Sequence, residues 1–401
     1  MKRRAPAHAV GAKSKIMAVV LLLGPAWPCT AAEWSVEPGI NMMYENNDNR
    51  SLTTARHKTT TGYVADVFLP FAVRSPASEI SLTPRIRSQR YDDSRLDSDD
   101  YYLNLQSGLD TPRTRWQLDA ARSWASTLTT EFQDVGLVDV YRPRNGSSLY
   151  PSVSHNLTER TAFRLAGGYE DVSYDDAQGS GLVDTTYSNV DTTLTYKLTE
   201  RTSLNLTGNY SKLDAAQNGN QTRTTSAQLG LDYRFSEPSR LTLSYGTRRT
   251  DIEIINTLYS ISDSSNGVIY NAAWYYEGES SNWNLSIGQS VLPSGFGFLV
   301  ERNEARAGYD HNVSERTSTQ FRLQAFQHRG VSTAATATAA SDDRDYFRAD
   351  AGLRWRMSPF WALSATYVYV WQEFRNTARP ARSNALFLGV SYSGQRYSWS
   401  R

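Results

Sequence analysis

Hydrophobic and polar residues alternate one by one along much of the chain. In the segment 227–235, every second position is taken by an apolar residue, namely Ala227, Leu229, Leu231, Tyr233 and Phe235. The same alternation is found in 204–210, 241–246, 347–356 and 361–371. Successive side chains of a β-strand point to opposite faces of its sheet. These segments are therefore predicted to be strands with one apolar face and one polar face.

A short motif recurs between the alternating segments. Residues 157–161 read Leu-Thr-Glu-Arg-Thr, residues 198–202 repeat that sequence without change, and residues 313–317 read Val-Ser-Glu-Arg-Thr. Similar short breaks lie at Pro76, Pro112, 235–239, 280–282 and 357–360. Successive breaks are roughly 40 residues apart, which leaves room for two strands, one short turn and one longer loop. The spacing predicts a series of β-hairpins.

The composition favours a sheet that faces lipid. Only 39% of the 401 residues are hydrophobic, yet the chain contains 24 Tyr and 10 Trp. Beyond the N-terminus no segment approaches the ~20 apolar residues of a membrane helix. In water such a sheet would expose a large apolar surface, whereas in lipid that surface is stabilising and closure removes the unpaired edges. We predict an all-β fold, a transmembrane up-and-down antiparallel β-barrel of about 18 strands, with about 16 as the alternative.

The strand predictions also divide the connections into two classes. The predicted strands are 34–44, 60–73, 78–91, 100–111, 113–126, 146–157, 159–174, 184–198, 201–213, 222–236, 239–251, 268–278, 281–291, 298–313, 316–329, 345–357, 360–374 and 383–393. The short breaks are expected to be periplasmic turns, and longer connections such as 127–145, 251–267 and 330–343 to be extracellular loops. Residues 127–145 or 251–267 are candidates for a loop that constricts the pore, with exposure on the cell surface as the equal alternative. An even strand number places both termini in the periplasm.

Residues 1–32 are predicted to be a cleavable signal peptide, and residues 33–401 the mature barrel in the outer membrane of a Gram-negative cell. Basic residues open the chain, an apolar stretch follows at 16–24, and small residues offer cleavage near Ala32. Cys29 is the single cysteine, so the mature chain has no thiol for a disulfide or a metal site. Cleavage removes five of 42 Lys+Arg and none of 41 Asp+Glu, and the resulting net charge of −4 does not indicate a nucleic-acid partner.

The repeated turns and the Asn/Thr-rich strand 202–211 resemble a family of β-barrel porins associated with exopolysaccharide production and export in Gram-negative bacteria. The resemblance covers residues 33–393 and rests on architecture and turn style. It implies a passive conduit, or a partner barrel, in exopolysaccharide secretion. An anionic polysaccharide and a periplasmic export component are the partners it suggests, beside the membrane lipid. The chain departs from many barrels at its C-terminus, because its last aromatic residue, Trp399, lies two residues before the end.

The polar phase of the strands predicts the residues that line the lumen. It carries many arginines interspersed with Asp and Glu, and the candidates for a substrate path are Arg234, Arg306, Arg322, Arg348, Arg354 and Arg356. One interpretation is a path for an anionic substrate, since a guanidinium binds a carboxylate through a bidentate fork. The other is a ladder of ion pairs that holds the wall together. Arg348, Arg354 and Arg356 are the arginines least balanced by acid in the sequence.

Aromatic residues on the strands also have two interpretations. Trp274, Tyr275 and Tyr276, like the aromatics of 361–371, are expected to form the interface girdle, with stacking on sugar rings as the alternative. Phe68 and Phe387 fall on the inward phase and are candidates for a sugar-stacking track.

Little in the sequence indicates catalysis. After residue 32 the chain has four histidines, His57, His155, His311 and His328, and no adjacent pair of residues forms a catalytic set, because neighbours in a strand face opposite sides. The protein is predicted not to be an enzyme and to use neither a cofactor nor a metal. Besides the export conduit, three functions stay open: a diffusion porin for small solutes, a structural or adhesive barrel, and a barrel that sheathes a partner.

Overall fold

The computed structural model describes residues 32–55, 57–128, 130, 142–175, 180–215, 217, 219–255, 260–330, 343–375 and 379–400. All but the last residue of the predicted signal peptide lie outside this part of the chain. The strands are β1 (Glu33–Val36), β2 (Gly39–Asn47), β3 (Thr60–Phe68), β4 (Phe71–Arg74), β5 (Ser78–Tyr91), β6 (Ser98–Asp110), β7 (Thr114–Ser126), β8 (Pro143–Asn156), β9 (Thr161–Tyr174), β10 (Thr185–Lys197), β11 (Thr202–Ala215), β12 (Asn220–Ser236), β13 (Ser239–Ile255), β14 (Ser260–Glu277), β15 (Ser281–Pro293), β16 (Leu299–Asn312), β17 (Thr317–Gly330), β18 (Arg344–Arg356), β19 (Trp361–Phe374), β20 (Ala381–Ser393) and β21 (Tyr397–Ser400).

The strands close into one antiparallel barrel. Each strand pairs with its neighbours in the chain, and the ring closes where β2 pairs with β20, from Gly39 opposite Ser393 to Asn47 opposite Ala385. β1, β4 and β21 do not add to the number of strands around the barrel, because they continue β2, β3 and β20 beyond short interruptions. β1 pairs with β21 and β4, and β4 pairs with β5. The barrel therefore has 18 strands around its circumference, which confirms the predicted architecture. None of the described residues forms a helix long and apolar enough to cross a membrane.

Prolines mark two of the three interruptions. Pro38 separates β1 from β2, and Pro70 separates β3 from β4. Proline has no N–H to donate to a ladder, so these residues end the pairing locally. Their carbonyls still accept bonds: the Gly394 N–H donates to Pro38 at 2.7 Å and the Glu37 N–H to Pro70 at 3.3 Å. The pairing then resumes, and β1 and β21 bring both ends of the barrel chain to the same rim.

The recurring motif forms the tight turns. The backbone N–H of Leu157 and that of Thr158 both donate to the carbonyl of Thr161, at 2.9 and 3.1 Å. The Thr158 hydroxyl in turn accepts from the N–H groups of Arg160 and Thr161, at 3.2 and 3.0 Å. Ser314 and Ser358 make the equivalent contacts in later turns. A hydroxyl at the second position thus satisfies backbone donors that the turn leaves free, which explains why Thr or Ser recurs there.

Eight short connections of two to four residues, some of which carry this motif, lie at one rim of the barrel. We call this rim the short-turn end and the opposite rim the long-loop end. Near the short-turn end most strand boundaries agree with the predictions, but the predicted strands 34–44 and 60–73 are interrupted at Pro38 and Pro70, and β21 was not predicted. At the other end the prediction of a long loop at 251–267 is wrong, because β13 continues to Ile255 and β14 begins at Ser260. Most of the predicted loops 127–145 and 330–343 lies outside the described residues.

The outer surface is apolar. Leu229, Tyr245 and Leu206 are 70%, 62% and 52% exposed, and they lie in one row across neighbouring strands. In a water-soluble protein such a row would be a large unfavourable surface, whereas lipid covers it without cost. The chain is therefore a transmembrane β-barrel of the bacterial outer-membrane type.

Candidate functional site in the lumen

The largest group of lumen arginines lies on three adjacent strands, β16, β17 and β18. Arg306 is in register with Gln324, and Gln324 with Arg348, so the two arginines share one row about 10 Å apart. One row towards the short-turn end, Arg322 is in register with Asp350. Two rows towards the long-loop end, Arg302 and Arg344 lie on the same face, and both are in register with His328. We call Arg302, Arg306, Arg322, Arg344 and Arg348 the arginine wall.

Acidic residues of the same strands hold four of these arginines. Arg322 Nη2 donates to both carboxylate oxygens of Asp310 at 2.7 Å. Arg348 donates through Nε and Nη2 to Asp350, at 2.8–3.0 Å. Arg302 and Arg306 both donate to Oε1 of Glu304, at 2.9 and 2.8 Å. These arginines are thus oriented by ion pairs.

Among the described residues, three acids lie on this part of the wall. Glu304, Asp310 and Asp350 lie on the same lumen face of β16 and β18 as the arginines. Since arginine keeps its charge at any physiological pH, the four arginines that these three acids hold leave one positive charge in excess.

Aromatic rings pack against Arg302 and Arg344, the arginines of the wall nearest the long-loop end. The Arg302 guanidinium lies 4.1 Å from the centre of the Phe326 ring, and that of Arg344 lies 4.7 Å from the Tyr346 ring. Phe326 and Tyr346 themselves stack at 4.4 Å. A guanidinium over an aromatic face is stabilised by the ring quadrupole, and this contact fixes its position.

A recess of about 820 Å³ opens in front of the lower part of the arginine wall. It is lined by Arg306, Arg322, Asp310, Gln324 and Tyr275, among others. Tyr275 is in register with Asn284 of β15 and so faces the lumen, whereas its neighbours Trp274 and Tyr276 face outwards. Of the three aromatics that the sequence assigned to the girdle, one, Tyr275, therefore faces the lumen.

The remaining candidate arginines lie nearer the short-turn end. Arg354 follows Arg348 by six residues along β18, about 20 Å, so the two do not form one cluster. Arg348 is also held by Asp350, which differs from the expectation that acid balances it poorly. Arg356 donates to the carbonyl of Glu315 at 2.7 Å. Arg234, in register with Arg240, and Arg354 face no carboxylate within ion-pair distance among the described residues.

Phe68 and Phe387 both face the lumen but lie far apart. Phe68 is in register with Gly39 and Phe387 with Glu45, six residues along the same strand, β2, which corresponds to about 20 Å. The Phe68 ring lies directly over Gly39, where any side chain would collide with it. Phe387 packs against an apolar cluster that contains Leu52. The geometry therefore gives each phenylalanine a packing partner and does not join them into one track.

Residues 48–55, which follow β2, fold into the lumen, and we call this segment the hook. Leu52 packs against Val368 and Val370 of β19, and its carbonyl accepts a hydrogen bond from Gln372 Nε2 at 3.1 Å. Its φ of 47° is in the left-handed region, which is strained for a leucine. Asn49 fixes the hook by donating to the carbonyls of Thr53 and Arg382. The hook narrows the long-loop end of the lumen beside Arg348 and Phe387, with which it encloses a cavity of about 140 Å³.

A second segment, the β15–β16 tip, enters the lumen at the same end. Leu299 is 3% exposed and packs against Leu213 and Ile252, which are lumen residues of β11 and β13. The Glu301 carboxylate forms an ion pair with Arg248, whose side chain is 1% exposed. The predicted constricting loops were 127–145 and 251–267, and the tip at 289–301 belongs to neither.

Another part of the wall contains a compact ion-pair group. Asp66 of β3 accepts hydrogen bonds from Arg85 at 2.6 and 2.8 Å and from Arg87 at 3.0 and 3.1 Å. Asp66 is only 3% exposed. One carboxylate therefore joins two rows of β5 to β3.

Two histidines form hydroxyl contacts on the outer face near the short-turn end. His155 Nδ1 lies 2.8 Å from Thr114 Oγ1, and His311 Nδ1 lies 2.9 Å from Ser281 Oγ. No Asp or Glu of the described chain completes either pair into a catalytic set. No group of three potential metal ligands is found among the described residues. The expectation of neither catalysis nor a cofactor stays a prediction.

Comparison with known proteins gives only distant structural matches. No protein-family model matches the chain, and no curated protein matches it. Pseudomonas aeruginosa OccK1 (OpdK) aligns over 91% of this chain and 99% of its own, at 12% identity and a TM-score of 0.47. P. aeruginosa OccK9 (OpdG) aligns over 90% and 98%, at 12% identity and a TM-score of 0.49. P. aeruginosa OccK2 (OpdF), solved in complex with glucuronate, aligns over 90% and 98%, at 10% identity and a TM-score of 0.48. These low values identify neither a family nor a substrate for this chain.

Proposed function

We propose that the protein is a passive channel for anionic carbohydrates across the outer membrane. The observation that carries this proposal is the arginine wall, in which Arg306, Arg322 and Arg348 present partly exposed side chains to the lumen from three adjacent strands. Arg302 and Arg344 lie buried beside them. A barrel of 18 strands is wide enough for an aqueous path. The Arg306 and Arg322 side chains are 57% and 43% exposed, so they remain accessible despite their acidic partners.

Uronates combine the two chemical features that this wall recognises. Their carboxylate matches the bidentate fork of arginine. Their ring has an apolar face that packs on an aromatic side chain such as Tyr275, which lines the same recess as Arg306 and Arg322. The proposal in its specific form, which the turn motifs favour, is export of an acidic exopolysaccharide.

A diffusion channel for small acidic solutes is the second candidate. The hook and the β15–β16 tip both occupy the long-loop end, which favours small solutes over a polymer. Export of a chain requires that at least one of these segments moves. The two candidates share the arginine wall and differ in the bore of the mouth.

The test is single-channel conductance of the refolded residues 33–401 in a planar bilayer. We expect an anion-preferring pore that an acidic polysaccharide or its oligomers block more strongly than neutral ones. Block by oligomers alone favours the small-solute channel, and block by the polymer favours export. Absence of conductance in every condition would overturn the channel and favour a structural or partner-sheathing barrel.

A matched set of variants separates the wall from total charge. The variant R306Q/R322Q/R348Q removes three arginines that face the lumen, and R90Q/R223Q/R249Q removes three that face outwards and are likewise paired with acids. We expect anion preference to fall only in the first variant. An equal fall in both would show that the wall does not set selectivity.

A further inference from the structure

The barrel wall contains a seam between β14 and β15. β14 spans Ser260–Glu277 and β15 spans Ser281–Pro293, yet the two strands pair only from Asn271 opposite Gly288 to Glu277 opposite Asn282. Beyond that point, residues 260–270 of β14 pair with β13 and with no other described strand. An unpaired strand edge offers a row of N–H and C=O groups for pairing with another strand.

The strand that would continue the pairing has turned into the lumen. Residues 289–293 of β15 pair with β16 alone, from Gln289 opposite Asn303 to Pro293 opposite Leu299. The connection behind them reaches the long-loop ends of β10 and β12, where the carbonyl of Gly297 accepts from Asn220 Nδ2 at 2.6 Å and that of Gly295 accepts from the Val183 N–H at 2.9 Å. The upper edge of the sheet thus overlaps the inner face of β11–β13.

The face of the tip that carries Leu299 and Glu301 is the continuation of the lipid-facing side of β16. Leu299 and Glu301 alternate with Val300 and Arg302, and along β16 their phase continues into outward residues such as Tyr309. In the tip this face contacts lumen residues of another wall, Leu213, Arg248 and Ile252. The face therefore suits both environments, the interior of the mouth and the outside of the barrel.

The sequence also fits the unoccupied register. Continuing the observed pairing would place Gln289 opposite Tyr270 and Val291 opposite Val268 on the outer face. Two valines opposite each other are a favourable cross-strand pair on a lipid-facing surface. Glu301 would also lie beside a cation, because it is in register with Arg329 of β17 on the outer face, and it would share this arginine with Asp345. Both positions of the tip thus pair its acid and cover its apolar residues.

We infer that the upper edge of β14 is the docking surface for residues 289–293, and that the β15–β16 tip is a gate. In the closed position, which we call tucked, the tip lies in the lumen. In the open position, which we call zipped, residues 289–293 pair with residues 266–270 of β14. The tucked position is stabilised by the Arg248–Glu301 ion pair and by Leu299 in its apolar cluster. The zipped position would instead satisfy the backbone of residues 266–270. The effect of the gate on conductance rests on the proposed channel function, whereas the docking surface does not.

Engineered disulfides test the docking surface directly. Residues 33–401 contain no cysteine, so only the introduced pairs can react. Directly opposed residues of antiparallel strands have Cα atoms about 4.5–5.5 Å apart, within the range that a disulfide bridges. V268C/V291C reports the zipped position. A272C/I287C is the matched control, because these two residues are already opposite each other below the seam.

We expect the control to cross-link in every background and to report correct folding. V268C/V291C is expected to cross-link in part, and to a larger fraction after Arg248→Gln or Leu299→Ala loosens the tucked position. If the control cross-links and V268C/V291C does so in none of these backgrounds, the docking surface is wrong.

Conductance then tests the gate. We expect the cross-linked V268C/V291C barrel to conduct more than its reduced form, with the change reversed by a reductant. A cross-link that leaves conductance unchanged would overturn the gate. Absence of conductance in all variants, with the cross-link formed, would overturn the proposed channel and leave the docking surface standing.

Discussion

Two parts of the lumen use the same residue types in opposite ways. Around Asp66, one buried carboxylate holds two arginines, and its side chain is 5% exposed. In the arginine wall the acids are outnumbered, and the side chains of Arg322 and Asp310 are 43% and 48% exposed. The comparison shows that an arginine on the inward phase is structural or accessible according to its burial and its ratio to neighbouring acids.

Burial also changes what each ion pair contributes. An accessible pair is screened by water and contributes little to stability. A buried charge that loses its partner pays most of its desolvation cost. The Asp66 group should therefore matter for the integrity of the barrel, and the arginine wall for what enters it.

The largest effect is expected from Asp66→Asn. This change leaves Arg85 and Arg87, whose side chains are 36% and 26% exposed, without their shared buried carboxylate. We expect a loss of about 2–3 kcal/mol in the free energy of unfolding, below the cost of breaking a fully buried pair because water reaches both guanidinium groups. The measurement is urea unfolding of the barrel in lipid vesicles, followed by tryptophan fluorescence. A loss below about 1 kcal/mol, as for an exposed pair, would remove the distinction between the two regions.

The membrane-spanning part of the strands and the short turns could be predicted from the sequence, because two local physical rules decide their structure. Alternation assigns each residue to lipid or lumen, and the Thr or Ser of the repeated turns fixes where strands end. Phase alone also places Arg306, Arg322 and Arg348 on one face. Arg302 has the same phase as Arg306 and is detectable in this way, while Arg344 lies one residue before the predicted start of its strand.

The long-loop end could not be predicted, because contacts between distant segments decide it. The sequence 251–267 is polar and reads as a loop, yet most of it extends the hairpin of β13 and β14. Glu301 has an outward phase, so no local rule indicates its ion pair with Arg248. The positive φ of Leu52 depends on the pocket formed by β19 and β20 around it. The partners of each arginine, and hence its accessibility, likewise depend on the register between strands.

A smaller effect on stability is expected from Asp310→Asn. The ion pair with Arg322 is half exposed, so its loss should cost no more than about 1 kcal/mol in the same unfolding measurement. Removing the acid frees the Arg322 guanidinium at the edge of the recess, and anion preference in a planar bilayer should rise. Asp99→Asn, which frees the outward-facing Arg90, is the control and should leave selectivity unchanged. A fall in anion preference after Asp310→Asn would show that Arg322 does not face the path.

The smallest effect on stability is expected from Arg354→Gln. Arg354 faces the lumen opposite Ser318 and Ser364, with no carboxylate of the described chain within ion-pair distance, so its removal breaks no ion pair. The free energy of unfolding should change by less than about 0.5 kcal/mol. Anion preference should nevertheless fall, and fall further in R348Q/R354Q/R356Q, because the charge itself faces the path. If the triple variant keeps the selectivity of the parent barrel, these three arginines do not set the charge preference. Arg354→Gln could instead lower the free energy of unfolding as much as Asp66→Asn does and leave ion selectivity unchanged. That result would show that Arg354 stabilises the barrel wall and does not act on permeating ions.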